Sequence, residues 1–347
     1  MSNLVLKVGG QRYWGWKEIT VNRGIEQMAG SFELLASDRW AIGKAASPIQ
    51  PGQECAIEID GFTVITGYID EVEPSHDAGN HELVIRGRDR SADLVDCVAE
   101  SDGREWNGRT LTQIATDLCK PFGINVIAQA DVGDAFKVGR IEPDETVFET
   151  LSRAARQRGV LLMADGRGSL VITTAGTAVA GTPLILGKNI LSGSGLNSQR
   201  ERFGRYIVRA QSDETAASAE AAQQRLAVAT DPQIRSTRVT AVHAWDQMNT
   251  AQAQQLASWT AHTRIGRGQR ATETVRGWLD RDGPWQPNTL VDVDDAYTRT
   301  SGRRLIAQVS HTLDPERGER TAITVVPPPA FDLLAEPEPA ENEGGGL

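Results

Sequence analysis

A strand series near the start of the chain returns near its end. Pro51-Gly52 ahead of residues 55–60 (CAIEID) is matched by Pro287-Asn288 ahead of residues 289–294 (TLVDVD). Residues 67–72 (GYIDEV) are matched by residues 304–309 (RLIAQV), and the run about Ile85 by the run about Ile323. The offsets start at 236 residues and drift by only a few, which reads as two copies of one β module. In the first copy, residues 55–60 and 62–70 (FTVITGYID) flank Asp60-Gly61, a two-residue hairpin signal. Residues 81–87 (HELVIRG) follow a polar turn, and residues 19–21 and 31–35 supply earlier strands. Short strands with turns about every ten residues predict a small barrel or sandwich.

Between the copies lies a second repeat. Residues 110–119 (TLTQIATDLC) put Leu111, Ile114, Ala115 and Leu118 on one helical face, Gly123 stops the helix, and residues 124–128 (INVIA) read as a strand. Residues 146–157 repeat the pattern with Val147, Leu151, Ala154 and Ala155, followed by Gly159 and the strand VLLM at 160–163. The two units superpose without a gap at an offset of 36, Thr110 on Thr146, Gly123 on Gly159 and Ile124 on Val160. Each glycine suits the left-handed position that ends a helix.

Beyond this domain, residues 206–210 (YIVRA) read as a strand. Residues 214–229, rich in Ala, Glu and Gln, are helix-permissive, and residues 246–263 form a better helix with a stripe of Met248, Gln252, Leu256 and Trp259. Strands follow at 273–279, 289–294, 304–309 and 321–326. The predicted fold class is α+β, mostly β. Residues 1–95 form a first β-barrel-like module, and residues 96–178 a small α+β domain. Residues 179–328 form a second β-barrel-like module with a helical insert at about 214–265, and residues 329–347 a disordered acidic tail.

Charge narrows the choice of partner. Lys and Arg total 36 against 46 for Asp and Glu, a net −10, which argues against a grip on nucleic acid through a basic surface. Residues 327–347 hold Asp332, Glu336, Glu338, Glu341 and Glu343 and no cation, so half the net charge sits in a Pro- and Gly-rich segment with no apolar face to pack. Phe331, Leu333 and Leu334 are its exceptions, apolar enough to dock on a partner. No stretch reaches the 18 or so apolar residues of a membrane span, and the N-terminus lacks a basic, then apolar, export signal. Three cysteines, Cys55, Cys97 and Cys119, do not make a disulfide scaffold and point to a reducing cytosol.

Catalytic signatures are missing: no GxxxxGK[ST], GxSxG, HExxH or paired CxxC occurs. His76, His81, His243, His262 and His311 are scattered, with His76 and His81 flanking a turn. Asp70, Glu71 and Glu73 form the densest carboxylate cluster beside a strand and read as a solvated strand end. The reading is of no catalytic, cofactor-binding or metal-ligating residue, and of a protein that is not an enzyme. Eight tryptophans stand out, among them Trp278 after Gly277; Trp285, before the Pro287-Asn288 turn, reads as an anchor of that turn, while Trp14 and Trp16 suit either a core or a protein interface.

In order along the chain, residues 61–97, 106–126 (WNGRTLTQIATDLCKPFGINV), 145–173 and 276–295 (RGWLDRDGPWQPNTLVDVDD) resemble the baseplate hub family of Mu-like contractile-tailed bacteriophages, the tail protein P family. The resemblance covers about residues 4–328. It implies a homotrimer at the tail axis, between the tail tube protein and the central spike protein, with two related β-barrels per chain facing a six-fold tube. It implies contacts with other baseplate proteins, DNA only in passage through a channel, and no stable membrane association. It also implies a place in the virion after assembly in the host cytoplasm. A second reading is a peptidoglycan-binding or peptidoglycan-cleaving tail protein, because the unit at 110–115 is similar to LysM modules. A third is a carbohydrate-binding or scaffold protein outside phages that uses its tryptophans.

Overall fold

Alternation of apolar and polar residues builds the first region of the computed structural model, which describes residues 3–37, 49–79, 81–100, 105–176, 178–210, 225–243 and 250–335. Its strands are β1 (Leu4–Val8), β2 (Gln11–Tyr13), β3 (Glu18–Gly24), β4 (Ser31–Ser37), β5 (Glu54–Ile59), β6 (Phe62–His76) and β7 (His81–Asp89). Every second residue of β3 and β7 is buried. Ile19, Val21, Phe32, Leu34, Ile57, Ile65, Ile69 and Ile85 share one core, each contributing roughly 1.5–3 kcal/mol of transfer free energy. Asp60 and Gly61 take φ of 48° and 86°, the turn whose twist matches β5 and β6 as they fold back on each other. A Cβ at Gly87 would fall 2.3 Å from the Tyr68 carbonyl and 2.5 Å from the Phe32 ring, so only glycine lets that ring lie across the strand.

The middle region holds α1 (Ala92–Asp96), β8 (Glu105–Arg109), α2 (Leu111–Cys119), β9 (Asn125–Ala128), β10 (Phe136–Arg140), α3 (Val147–Arg158), β11 (Leu161–Ala164) and β12 (Ser169–Thr173). The 36-residue offset is exact in backbone chemistry. Thr110 and Thr146 each cap a helix with a reciprocal box, to Gln113 and to Glu149. Gly123 and Gly159 both take φ 64°. Leu111, Ile114, Leu118, Val147, Leu151 and Val160 meet in one core. β12 pairs antiparallel with β11 and parallel with β9.

The last region contains β13 (Ala178–Val179), β14 (Leu184–Ile185), β15 (Ile190–Asn197), β16 (Arg205–Ala210), β17 (Arg225–Thr230), β18 (Val239–His243), α4 (Thr250–Arg267), β19 (Gln269–Arg276), β20 (Thr289–Asp295), β21 (Thr300–Asp314) and β22 (Gly318–Val326). Three expectations change here. The helical insert is a small α+β unit: residues 225–229 belong to β17, which pairs with β16, and β18 lies on the other side of β16. Residues 214–224, along with Met248 and the start of the predicted helix, lie outside the described residues. The buried face of α4 runs through Ala253, Leu256, Ala257, Thr260 and Ala261, not Gln252, because small residues admit close packing on β16 and β17. The ion pair of Arg202 with Asp231, 2.7 Å long and almost wholly buried, ties this unit together.

The third change concerns the tail. Residues 329–335 are packed: Ala330 is buried beside Leu305 and Val326, Leu334 packs with Leu256 and Ala257, and the Trp259 Nε1 donates to the Asp332 carbonyl at 2.9 Å. Of the apolar residues expected to dock on a partner, Leu334 packs in the α4 cluster and Phe331 against the cluster of Leu305, Val326 and Ala330. The tail from residue 336 lies outside the described residues.

Long-range pairing sets the architecture. The main sheet runs β15–β19–β22–β21–β3–β4–β7–β6–β5–β1–β2. Among the described residues no sheet closes into a barrel. The expected pair of barrel-like modules gives way to one open sheet, because β21 pairs with β3 from Gln308–Gly24 to Leu313–Ile19 and so uses the edge on which a separate module would close.

Candidate functional site

Residues directly opposite one another in neighbouring strands present their side chains to one face of a sheet. One row runs Ser192, Thr274, Ala322, Ser310, Asn22, Ser31 and Arg88. A second runs Arg320, Thr312, Thr20, Glu33, Arg86 and Glu71. The main sheet therefore has a long polar face crossing both β regions. Its other face is covered: a Cβ at Gly166, in the β11–β12 turn, would fall 2.3 Å from the Val64 carbonyl and 3.1 Å from the buried Arg23 guanidinium.

Charges on the polar face are paired. Arg86 reaches Glu33 at 2.8 Å, Glu71 at 3.2 Å and Glu73 at 2.8 Å, and Arg88 reaches Asp70 at 2.7 Å and Asp96 at 2.8 Å. Hydrogen bonds to Glu33 and Glu73 raise the Arg86 pKa, and those to Asp70 and Asp96 raise that of Arg88. The carboxylate cluster singled out in the sequence is thus a set of surface ion-pair partners, each worth little to stability.

Besides its terminal strand β2, this sheet is open at two places among the described residues. β6 pairs with β5 only through residues 62–68, so residues 71–76 have β7 on one side and no strand on the other. β15 pairs only with β19. Its Leu191 and Leu196 are 47% and 61% exposed, which places apolar side chains on an unpaired edge.

Beneath β15 lies a group that sequence reading missed. Glu273 is fully buried, and a Cβ at Gly193 would fall 2.3 Å from its Oε2 and 3.0 Å from the Asp295 Oδ2. Thr298 Oγ1 donates to Glu273 Oε1 at 3.2 Å, while Oε2 has no hydrogen-bond partner. Burial, and then the Asp295 charge, push the Glu273 carboxyl up to about 7. The signal for it was a glutamate at an inward position of an alternating strand, opposite a glycine.

The other candidates are structural. His311 is buried, with Nδ1 3.2 Å from Thr321 Oγ1, and burial and Arg23 push it down to about 3. His76 and His81 face each other at the hairpin end, ring centroids 5.9 Å apart, and His262 lines an open groove of about 450 Å3 beside Trp259 and Leu334. The side chain of His243 lies outside the described residues. Cys55 and Cys119 are buried thiols pushed up to about 12, and Cys97 is half-buried. Trp278 is buried in the core of the first β region, its Nε1 donating to the Thr312 carbonyl at 2.9 Å; Trp285 is buried with Val291, Val309 and Ile323 in the core of the last β region; Trp16 is half-buried; Trp14 is 68% exposed. Among the described residues no group of three or more His, Cys, Asp or Glu is placed to hold a metal ion, and no helix is long and apolar enough to cross a membrane.

Comparison with known proteins follows this geometry. Residues 3–89 match the family described as Mu phage baseplate assembly protein GpP-like, N-terminal. Residues 91–174 match baseplate hub protein gp44-like, second domain, and residues 249–334 match Mu phage baseplate assembly protein GpP, fourth domain. Baseplate hub protein gp44 of Escherichia phage Mu is 33% identical over 99% of this chain and 93% of its own length. The crystal structure of the 43 kDa tail protein of prophage MuSo2 from Shewanella oneidensis is 36% identical, with a TM-score of 0.85 over 96% of this chain and 100% of that one. The tail protein from Neisseria meningitidis MC58 is 25% identical, with a TM-score of 0.80 over 96% and 99%. An identity of one third along nearly the whole chain, with three family segments in order, places the chain in the Mu-type baseplate hub family, structural proteins of the phage tail.

Proposed function

We propose that this chain is the central hub of a contractile-tail baseplate, a homotrimeric ring that joins the tail tube to the central spike and leaves a channel for DNA. The observation that carries the reading is one strand unit built twice. β5, β6 and β7 pair in the order of β20, β21 and β22, and in the same register apart from one bulge at Val64 between β5 and β6. Two such units per chain give a three-fold assembly six similar faces, the number a six-fold tube requires. Residues 1–95 and 179–328 are the two related modules, and residues 96–178 the domain that braces them.

The polar face supplies a suitable channel wall. Its Ser and Thr rows and neutralised Arg–Glu groups offer no apolar patch to a passing chain, and the chain's net negative charge repels phosphate. The hub is read as non-enzymatic and free of cofactor and metal, with its histidines, thiols and carboxylates used in packing and surface pairs. Its partners are the tube, the spike and neighbouring baseplate proteins, met in the host cytoplasm during assembly and kept in the virion.

Light scattering on the purified full chain tests the ring. A mass three times the 37.6 kDa of one chain, holding on dilution, is expected. A 37.6 kDa particle at micromolar concentration in physiological salt would overturn the reading.

A further inference from the structure

The joint between the two β units inside one chain has a vacant counterpart at the sheet's open edges. β6 and β21 are both 15 residues long and both exchange one partner for another halfway. Their first halves pair with β5 and β20, and their second halves lie against β7 and β22. The two share a bulge at corresponding residues, Asp70 between Ile69–Gly87 and Glu71–Arg86, and Ala307 between Ile306–Val325 and Gln308–Thr324; β6 has a further bulge at Val64 against β5. Val72 pairs with Ile85 as Val309 pairs with Ile323, so residues 71–76 correspond to residues 308–313. In β21 that half carries β3 on its other side; in β6 it carries no strand among the described residues.

The strands that receive such an edge correspond as well. Val21 of β3 pairs with Phe32, which pairs with Gly87; Gly195 of β15 pairs with Ala271, which pairs with Val325. Gly87 and Val325 stand on the same rung beside their bulges, so Gly195 takes the place of Val21. β3 is covered on its outer side by β21, whereas β15 is uncovered among the described residues and exposes Leu191 and Leu196. An open edge of this kind is a template for another chain.

We propose that residues 72–76 of β6 in one copy pair antiparallel with residues 193–197 of β15 in the next copy, in the register of the internal β21–β3 joint. This rests on the trimeric reading above and names its contact. His311–Val21 becomes Pro74–Gly195, and Ser310–Asn22 becomes Glu73–Leu196. Leu196 then lies opposite Glu73 of the next copy, and three eight-strand arcs, β15 to β6, close head to tail into a ring in which neither of these two edges stays free. Pro74 offers no amide donor, so that rung is weaker, which keeps the lone edge from pairing indiscriminately. Gly193 and Gly195 carry no side chain, which leaves space for the Pro74 ring and His76 where the internal joint holds Ile19 and Val21 against Leu313 and His311.

Cysteine cross-linking of the full chain tests the register. Glu73→Cys and Leu196→Cys are combined in one chain with Cys97→Ser; both new thiols replace exposed residues, and within one chain they sit at opposite ends of the eight-strand arc. Mild oxidation should give covalent trimers on a non-reducing gel. Glu73→Cys with Ser192→Cys, four residues out of register, should give at least tenfold fewer. If light scattering shows a trimer and the first pair does not cross-link, or the second links equally well, this pairing is wrong while the ring stands. A monomeric mass would remove both.

Discussion

Glu273 occupies in β19 the place that Leu34 occupies in β4: Leu34 pairs with Ile85 as Glu273 pairs with Ile323, and both side chains are fully buried. β19 thus holds a carboxyl where β4 holds a core leucine, and it holds it against Asp295, under Gly193 of β15. A buried carboxyl of this kind is tolerated while it is protonated and opposes folding once charged.

The sign of its pH dependence is fixed. The pKa is raised on folding, to about 7, so the stabilising protonated form is complete below the unfolded value of about 4.5 and lost as pH rises through 7. Over that window Glu273 withdraws on the order of 2–3 kcal/mol. His311 acts oppositely, withdrawing stability as pH falls from 6.5 toward 3. Comparing Glu273→Gln with the parent isolates the first effect: denaturant midpoints should agree at pH 4, below the unfolded value, and favour the variant at pH 8. A parent that is at least as stable at pH 8 would contradict this.

Trp278 follows β19 in the chain yet packs in the core of β1 to β7. Trp278→Ala should remove about 3–5 kcal/mol by leaving a cavity and freeing the Thr312 carbonyl. Trp278→Phe should lose less. Urea unfolding reads both, and a change under about 1 kcal/mol for the alanine variant would show that the side chain does not join the modules.

The two caps of the helix–strand repeat should behave alike. Thr110→Ala and Thr146→Ala each remove one reciprocal box and should each lower stability by about 1 kcal/mol. Gly159→Ala should lose more than either, since φ is 64° and the added methyl would meet the Ala335 amide nitrogen at 3.0 Å. Thermal melts of the three variants order them.

Truncation after Pro329 should lower the melting temperature by several degrees, because it removes the buried Ala330, the Asp332 carbonyl held by Trp259, and Leu334 from the α4 cluster. An unchanged melt would mean that this segment does not hold α4 down.

Local chemistry made much of this fold legible. Asp60-Gly61, the threonine caps and the glycine stops each act within a few residues, so their spacing carried the hairpin and the 36-residue repeat into the structure intact. Composition misled where a partner strand decided: the alanine-rich run ending at Ala229 favoured helix, yet residues 225–230 pair with β16 along their length. Proline and acidic residues hid the packed stretch at Phe331–Leu334, whose partner helix lies far back in the chain. The β21–β3 joint left no local mark at all, since it links strands from the two ends of the chain; nor did the open edges, which depend on that joint. Glu273 was visible only as an exception to alternation.

The central claim is that one chain carries two alternating copies of a strand unit around a closed three-fold ring. Electron-microscopic class averages of the purified full chain, viewed down the ring axis, test it most directly. The account predicts an annulus of six similar lobes with three-fold symmetry about an open centre. Single three-lobed particles without an annulus, or rings whose lobes number other than six, would contradict it.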